Sequence, residues 1–263
     1  MKAAFIGGVY SNWLALEAAL GDARRRGVEQ VYCLGDLGAF GPHPDRSIEI
    51  LRAAGIPTVQ GNYDDSVGND RPDCGCGYTD PRDNHYARIS YAYTQEKTSS
   101  VHKPWLAALP HRLAIDLDGV RALLVHGSPR QQNEFLWETS SPDHLLERLC
   151  GDAQALLCTH TGLHWQRALP SGKQVVNVGA LGRPANDGRT CVWYALYDAA
   201  ATGAAATEDG AFRFVPVEYD HARLAREMRA EKLPEEFVET VLTGWWTTCL
   251  EVLPAKERLR GRY

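Results

Sequence analysis

The stretch CLGDLGAFGPHPD, residues 33–45, decides how the chain is read. The apolar run 31–34 reads as a buried strand that runs into Gly35-Asp36, and a Gly/Pro loop follows. On the C-terminal side, 45–54 predicts a helix stopped by Gly55, and 57–60 a third strand running into Gly61-Asn62. On the N-terminal side, 3–6 is a short apolar strand and 13–26 an amphipathic helix, with Asn12 as its cap, Trp13, Leu16 and Leu20 on one face and Gly27 as its stop. Strand, helix, strand, helix, strand is the parallel βαβ pattern. In such sheets, polar residues just past the carboxyl ends of strands line the usual ligand crevice.

Residues 64–95 break this pattern: rich in Asp, Gly and Pro, they read as a long functional or capping loop. A helix is expected near 95–106, then strands 113–117 and 120–125 around an Asp118-Gly119 turn, the second delivering His126-Gly127. Ser141 as cap and Pro142 as first residue start a helix to about Cys150, and the buried strand 155–158 delivers Thr159-His160. Three antiparallel strands follow at 174–178, 190–197 and 211–217, with a low-complexity surface loop, 199–210, between the last two. From Asp220 the chain reads as a helical tail carrying GWWTTCLE, 244–251, and a basic end. The expected organisation is one domain over 1–219 and a helical appendage over 220–263.

With 263 residues, 44% of them hydrophobic, the chain can bury a full core. A net charge of −5 supplies no global positive field for nucleic acid or an anionic membrane, and a small-molecule substrate is the expectation. No leader is read at the N-terminus and no apolar run approaches the roughly 20 residues of a membrane span, so a cytoplasmic location is expected. Seven cysteines are scattered apart from one C-x-C. Their odd number argues against a secreted disulfide framework, and they read as buried thiols.

Asp36, Asn62, His126 and His160 each follow an expected buried strand, with glycine beside three of them. A lone histidine is more often a hydrogen-bonded structural residue. Four such oxygen and nitrogen donors aimed at one sheet edge form a set that can hold a divalent transition metal.

The motifs CLGDLGAFGPHPD, VQGNYDD, LLVHGSPR, LLCTHTGLHW and VVNVGALGRP occur in this order, and together they resemble the calcineurin-like metallophosphoesterase family, in particular its small bacterial branch. The resemblance covers about residues 1–198. It implies an α/β fold, a four-layer α-β-β-α β-sandwich flanked by helices, and hydrolysis of phosphate esters by two metal ions sharing a bridging Asp. Carried over position by position, Asp36 matches the bridging carboxylate, and Asn62, His126 and His160 complete the ligands of one metal. The other metal's ligands fall on Gly8, Tyr10 and Gly162, none of which matches. The losses sort onto one metal, and the implied cofactor is therefore one divalent transition ion, of Mn, Fe, Zn or Ni.

The vacated half admits other readings. His164 could stand in for the lost histidine, or Tyr10 could ligate as a phenolate, although a phenol titrates near 10. The reading preferred is that Tyr10 caps the vacated half or donates a hydrogen bond to substrate, with His164 or Tyr10 placed for proton transfer. The family's proton-donating His after Gly-Asn is replaced here by Tyr63, which leaves the general acid unassigned. Arg130 and Arg183 have forks suited to phosphate oxygens, against the plainer reading of surface arginines. Cys74 and Cys76 could chelate a soft metal, and loop-packing thiols are the preferred reading. The Trp245-Trp246 pair reads either as a partner surface or as core packing. The functional expectation is a metal-dependent hydrolase of a small phosphorylated molecule, with a homo-oligomer allowed. Its rivals are a non-catalytic descendant that binds a phosphorylated ligand or a protein, and a one-metal enzyme with non-phosphate chemistry.

Overall fold

In a computed structural model describing residues 1–202 and 211–259, the strand β1 (Lys2–Ile6) and the strand β2 (Gln30–Cys33) pair in parallel, joined by the helix α1 (Trp13–Arg25). Asn12 caps α1 by accepting the Ala15 N–H at 3.0 Å. After β2 the chain enters α2 (Pro44–Ala53). The third expected strand is reduced to one parallel bridge between Cys33 and Thr58. Pro57 has no N–H to donate to a ladder, so the segment exchanges two backbone hydrogen bonds with Cys33 and then leaves, Gln60 N–H turning to Pro110 O.

The expected long loop over 64–95 is largely helical, with α3 (Asn62–Gly68) and α4 (Pro81–Lys97). Its Asp-Pro pair is a helix start: the Asp80 carboxylate accepts from the N–H groups of Arg82 and Asp83, and Pro81 lies in the first turn. The helix expected over 95–106 is the end of α4 followed by the short α5 (Lys103–Ala107). The hairpin of β3 (Arg112–Leu117) and β4 (Val120–Val125) forms as read. Ser141 does not cap α6 (Asp143–Cys150), because its hydroxyl accepts the Trp137 N–H at 2.8 Å, and Pro142 is extended ahead of the helix.

The later strands are β5 (Ala155–Cys158), β6 (His164–Ala168), β7 (Gln174–Val178), β8 (Val192–Asp198) and β9 (Phe212–Val217). The three expected antiparallel strands do not form one unit. β7 runs parallel to β5 and antiparallel to the unforeseen β6, whereas β8 and β9 join β1. A four-stranded sheet, β2-β1-β8-β9, thus faces a five-stranded sheet, β3-β4-β5-β7-β6. Of the low-complexity stretch 199–210, Ala199–Thr202 is a 3-10 turn, and 203–210 lie outside the described residues, as do the last four of the basic end. The C-terminal segment holds α7 (His221–Ala230), α8 (Glu235–Thr243) and α9 (Ala255–Arg258).

Strand alternation assigns the layers. Ala3 and Phe5 of β1 and Ala195 and Tyr197 of β8 point between the sheets, where they meet Leu124 of β4, Leu157 of β5 and Val176 of β7. Ala4, Ile6, Tyr194 and Leu196 face outward against α1, α2, α7 and α8. Leu156, Cys158 and Val175 face α6 on the other side. The result is the four-layer α-β-β-α sandwich. Among the described residues no helix is long and apolar enough to cross a membrane.

Candidate metal centre and cavity

The carboxyl ends of strands from both sheets meet at one place. Asp36 follows β2, His126 follows β4, His160 follows β5, and Asn62 opens α3. Asp36, His126 and His160 are buried and offer ligand atoms within 4.8 Å of one another. His126 Nδ1 lies 2.6 Å from Leu34 O, a contact between the two sheets that requires an N–H there and leaves Nε2 to face the site. That Nε2 is 3.3 Å from Asp36 Oδ2 and 3.2 Å from His160 Nδ1. Donors sharing an ion at about 2.1 Å lie about 3.0–3.4 Å apart.

Asn62 supplies the independent test of fit. Its Nδ2 donates to Cys74 O at 2.8 Å, and its Oδ1 is buried with no partner. A buried acceptor without a donor is costly, and an ion beside it removes the cost. The four residues fit a divalent metal.

The site is built on strained backbone. Asp36 at φ 55 and His160 at φ 68 both occupy the left-handed region, which non-glycine residues seldom enter. Asp64 holds the Asp36 loop in place. Its carboxylate accepts Asp36 N–H and Gly61 N–H at 2.8 Å and Leu37 N–H at 2.9 Å. A side chain at Gly61 would collide with Asp36, so only glycine lets the two loops approach this closely. Asp64 was missed as a site residue, although it stands three residues after the Gly61 cap, where an acid closes a capping box.

Electrostatics couple the cluster. Burial raises the Asp36 carboxyl, and the neighbouring His126 and His160 outweigh it, holding Asp36 below the usual carboxylate range. Burial lowers His126, but Asp36 raises it further. Burial first and His126 second push His160 down to about 3, so it is neutral with a free ring lone pair. Asp64, buried beside Asp36, is pushed up to about 7.

Two glycines close the far side. A Cβ built at Gly8 would sit 2.9 Å from Tyr10 Cζ, and one built at Gly162 would sit 2.8 Å from Trp246 Cη2. The ring of Tyr10 and the indole of Trp246 thus fill the room that side chains at positions 8 and 162 would need. Trp246 is buried with Trp137, Leu163 and Leu253, and its indole N–H donates to Pro184 O at 2.6 Å. Of the two readings of the tryptophan pair, Trp246 takes core packing.

The family model of the calcineurin-like phosphoesterase superfamily domain matches residues 1–201. The chain belongs to this superfamily. It is 25% identical over 256 residues to an uncharacterized protein of Methanocaldococcus jannaschii, covering 92% of this chain and 97% of that protein. Among solved structures it is similar to a metallophosphoesterase from Sphaerobacter thermophilus, at 27% identity and TM-score 0.70, covering 93% of this chain and 100% of the other. A hypothetical protein from Pyrococcus horikoshii shares the fold at 22% identity and TM-score 0.76, over 94% and 99% of the two chains.

In this calcineurin-like phosphoesterase the other residues singled out from the sequence are distributed unevenly. Tyr10, Tyr63 and Arg183 line the same cavity as Asp36, Asn62 and His160. Burial, with Asp36 next, raises the Tyr10 phenol well above its ordinary range, which opposes a phenolate ligand. The Tyr63 hydroxyl is turned to α4, 3.1 Å from Ser90 Oγ, while its backbone N–H donates to Asp36 Oδ1 at 3.0 Å. Arg130 does not line this cavity. Its guanidinium forks onto Glu134 and borders a separate groove. His164 does not reach the cavity either, because β6 directs its ring onto Trp193 and Phe214, 4.6 and 4.7 Å away. Cys74 and Cys76 are not free thiols but a disulfide, whereas Cys33, Cys150, Cys158 and Cys191 are buried and free and Cys249 is half-buried and free.

Tyr78, Tyr86, Phe237, Thr248 and Cys249 also line the cavity; Tyr78 and Tyr86 come from the segment read as a functional or capping loop, and Thr248 and Cys249 from GWWTTCLE, but none was singled out as a site residue. The cavity offers about 40 Å³ to the centres of water-sized spheres, room for two or three waters or one tetrahedral anion. Cys76, Tyr78 and Ala87 also line a larger groove of about 850 Å³ between residues 71–78 and α4.

Proposed function

We propose that the protein is a phosphoesterase that hydrolyses a small phosphorylated molecule with one divalent transition metal, held by Asp36, Asn62, His126 and His160. The observation that carries this reading is the pairing of an intact donor set, including the unpartnered Asn62 Oδ1, with aromatic rings in the space beside Gly8 and Gly162. A metal bound there supplies Lewis acidity to a phosphoryl oxygen and lowers the pKa of water.

The chain's own groups do the rest. Leu34 O fixes the His126 ring, and Asp64 and Tyr63 N–H fix Asp36, so the donors are preorganised. The Tyr10 ring lines the cavity, and the ring of Phe135 lies 4.4 Å from that of His160, so aromatic surface flanks the donors. The inner cavity suits a phosphoryl group, and the adjoining groove, carrying Arg71, Asp73, Arg88 and Glu96, suits the alcohol portion of the ester.

Elemental analysis of the purified full chain with a phosphodiester assay tests the reading. One metal per chain with hydrolysis, both lost in His160→Ala, supports it. No metal sinks it, and two metals sink its single-ion form.

A further inference from the structure

We propose that Arg183, with the Thr248 hydroxyl, is a built-in anion-binding subsite that grips the phosphoryl group in the cavity that Asp36, Asn62 and His160 also line. The proposal deepens the phosphoesterase reading and rests on it.

Arg183 is 6% exposed. Its guanidinium lies 3.4 Å from the centroid of the Trp246 ring and 5.3 Å from that of Phe40, so its faces are covered by aromatic rings. One Nη donates to Thr248 O at 3.3 Å, and Nε, also buried, has no partner. Among the described residues no carboxylate forms an ion pair with it. A guanidinium removed from water without a counter-charge is expensive, and cation–π contacts of about 2 kcal/mol offset only part of that cost. The balance is restored when an anion enters.

Two further observations place that anion in the cavity. Arg183 lines it together with Asp36, Asn62 and His160. Thr248 lines it too, its buried hydroxyl having no oxygen or nitrogen partner and lying beside the Cys249 thiol, a weak one. The cavity therefore brings the partnerless Arg183 Nε–H and the Thr248 hydroxyl together with the residues that would hold the metal. A tetrahedral oxyanion satisfies the Arg183 side, its oxygens accepting from the guanidinium and hydroxyl, and an oxygen turned the other way would meet the cation that Asp36, Asn62, His126 and His160 would hold. The planar fork is held rigid by its stack on Trp246, so little side-chain freedom is lost on binding.

The test is calorimetric titration of the full-length protein with inorganic phosphate, metal-loaded and after chelator treatment, with metal content measured on every variant. The wild type binds one phosphate per chain in both states. Arg183→Met weakens phosphate by about 10- to 100-fold, Arg183→Lys less, and Thr248→Val by about three- to tenfold, while metal per chain stays at the wild-type value. If Arg183→Met does not fold, Arg183→Lys and Thr248→Val decide. Phosphate affinity within about twofold of wild type in the folded variants overturns the proposal, as does a wild type that binds no phosphate. Failure of the phosphoesterase reading is a separate result, a wild type without metal or hydrolysis.

Discussion

The indole of Trp246 lies against Gly162 so closely that an added Cβ would be 2.8 Å from Cη2 and 3.1 Å from Cζ2. Gly162 also has φ +77, a conformation that other residues resist. Gly162→His is therefore expected to destabilise by about 2–4 kcal/mol, measured from urea midpoints. In a double-mutant cycle with Trp246→Ala, a coupling of about 1 kcal/mol or more is expected; strict additivity would mean that the two residues do not touch.

Restoring a second ion requires space as well as ligands. Gly8→Asp, Tyr10→His and Gly162→His together are expected to leave metal content unchanged while Trp246 is present. Adding Trp246→Ala is expected to raise it to two ions per chain. Elemental analysis distinguishes the outcomes, and two ions in the triple variant would show that the indole is no obstacle.

Asp64→Asn puts an N–H donor opposite backbone donors that now point at carboxylate oxygens. The expected cost is about 2–3 kcal/mol of stability and a loss of about 10- to 100-fold in metal affinity. Denaturant melts and metal titration read the two effects separately.

Metal should stabilise the folded chain by linkage. At a free concentration about 100 times its Kd the gain is about 2.7 kcal/mol, or a rise in Tm of about 5–10 °C. Scanning calorimetry should show this shift in the wild type and none in His126→Ala.

Alkylation under native disulfide conditions, in denaturant, should label five cysteines, rising to seven after reduction. Closing so short a loop stabilises by about 1–2 kcal/mol, which reduction should remove from the unfolding free energy.

The convergence of Asp36, His126 and His160 was legible in the sequence because each follows a strand, and strand ends in a layered α/β fold meet at one edge; Asn62 joins them after a strand reduced to one bridge. The mismatch at Gly8, Tyr10 and Gly162 was legible from the order of the motifs. What fills the space beside Gly8 and Gly162 was not. Trp246 is far from Gly162 along the chain, and no periodicity or cap signals a contact of that range. His164 was misread because its role depended on whether residues after 163 continue the loop or form β6, and pairing with β7 decides that. The helix α4 hid behind Asp, Gly and Pro, which mark both loops and helix starts; Asp80-Pro81 was the latter. Arg183 and Arg130 looked equivalent as sequence, and only burial separates a guanidinium stacked on Trp246 from one neutralised by Glu134.

Phe237, Thr248 and Cys249 line the cavity, and all three lie beyond residue 201, where the match to the superfamily domain ends. A chain cut at that boundary would keep Asp36, Asn62, His126 and His160 yet lose one wall of the cavity, leaving Arg183 without the indole on which it is stacked. The folded unit of this chain is longer than the superfamily domain it matches, and fragments trimmed to that domain would report on a different molecule.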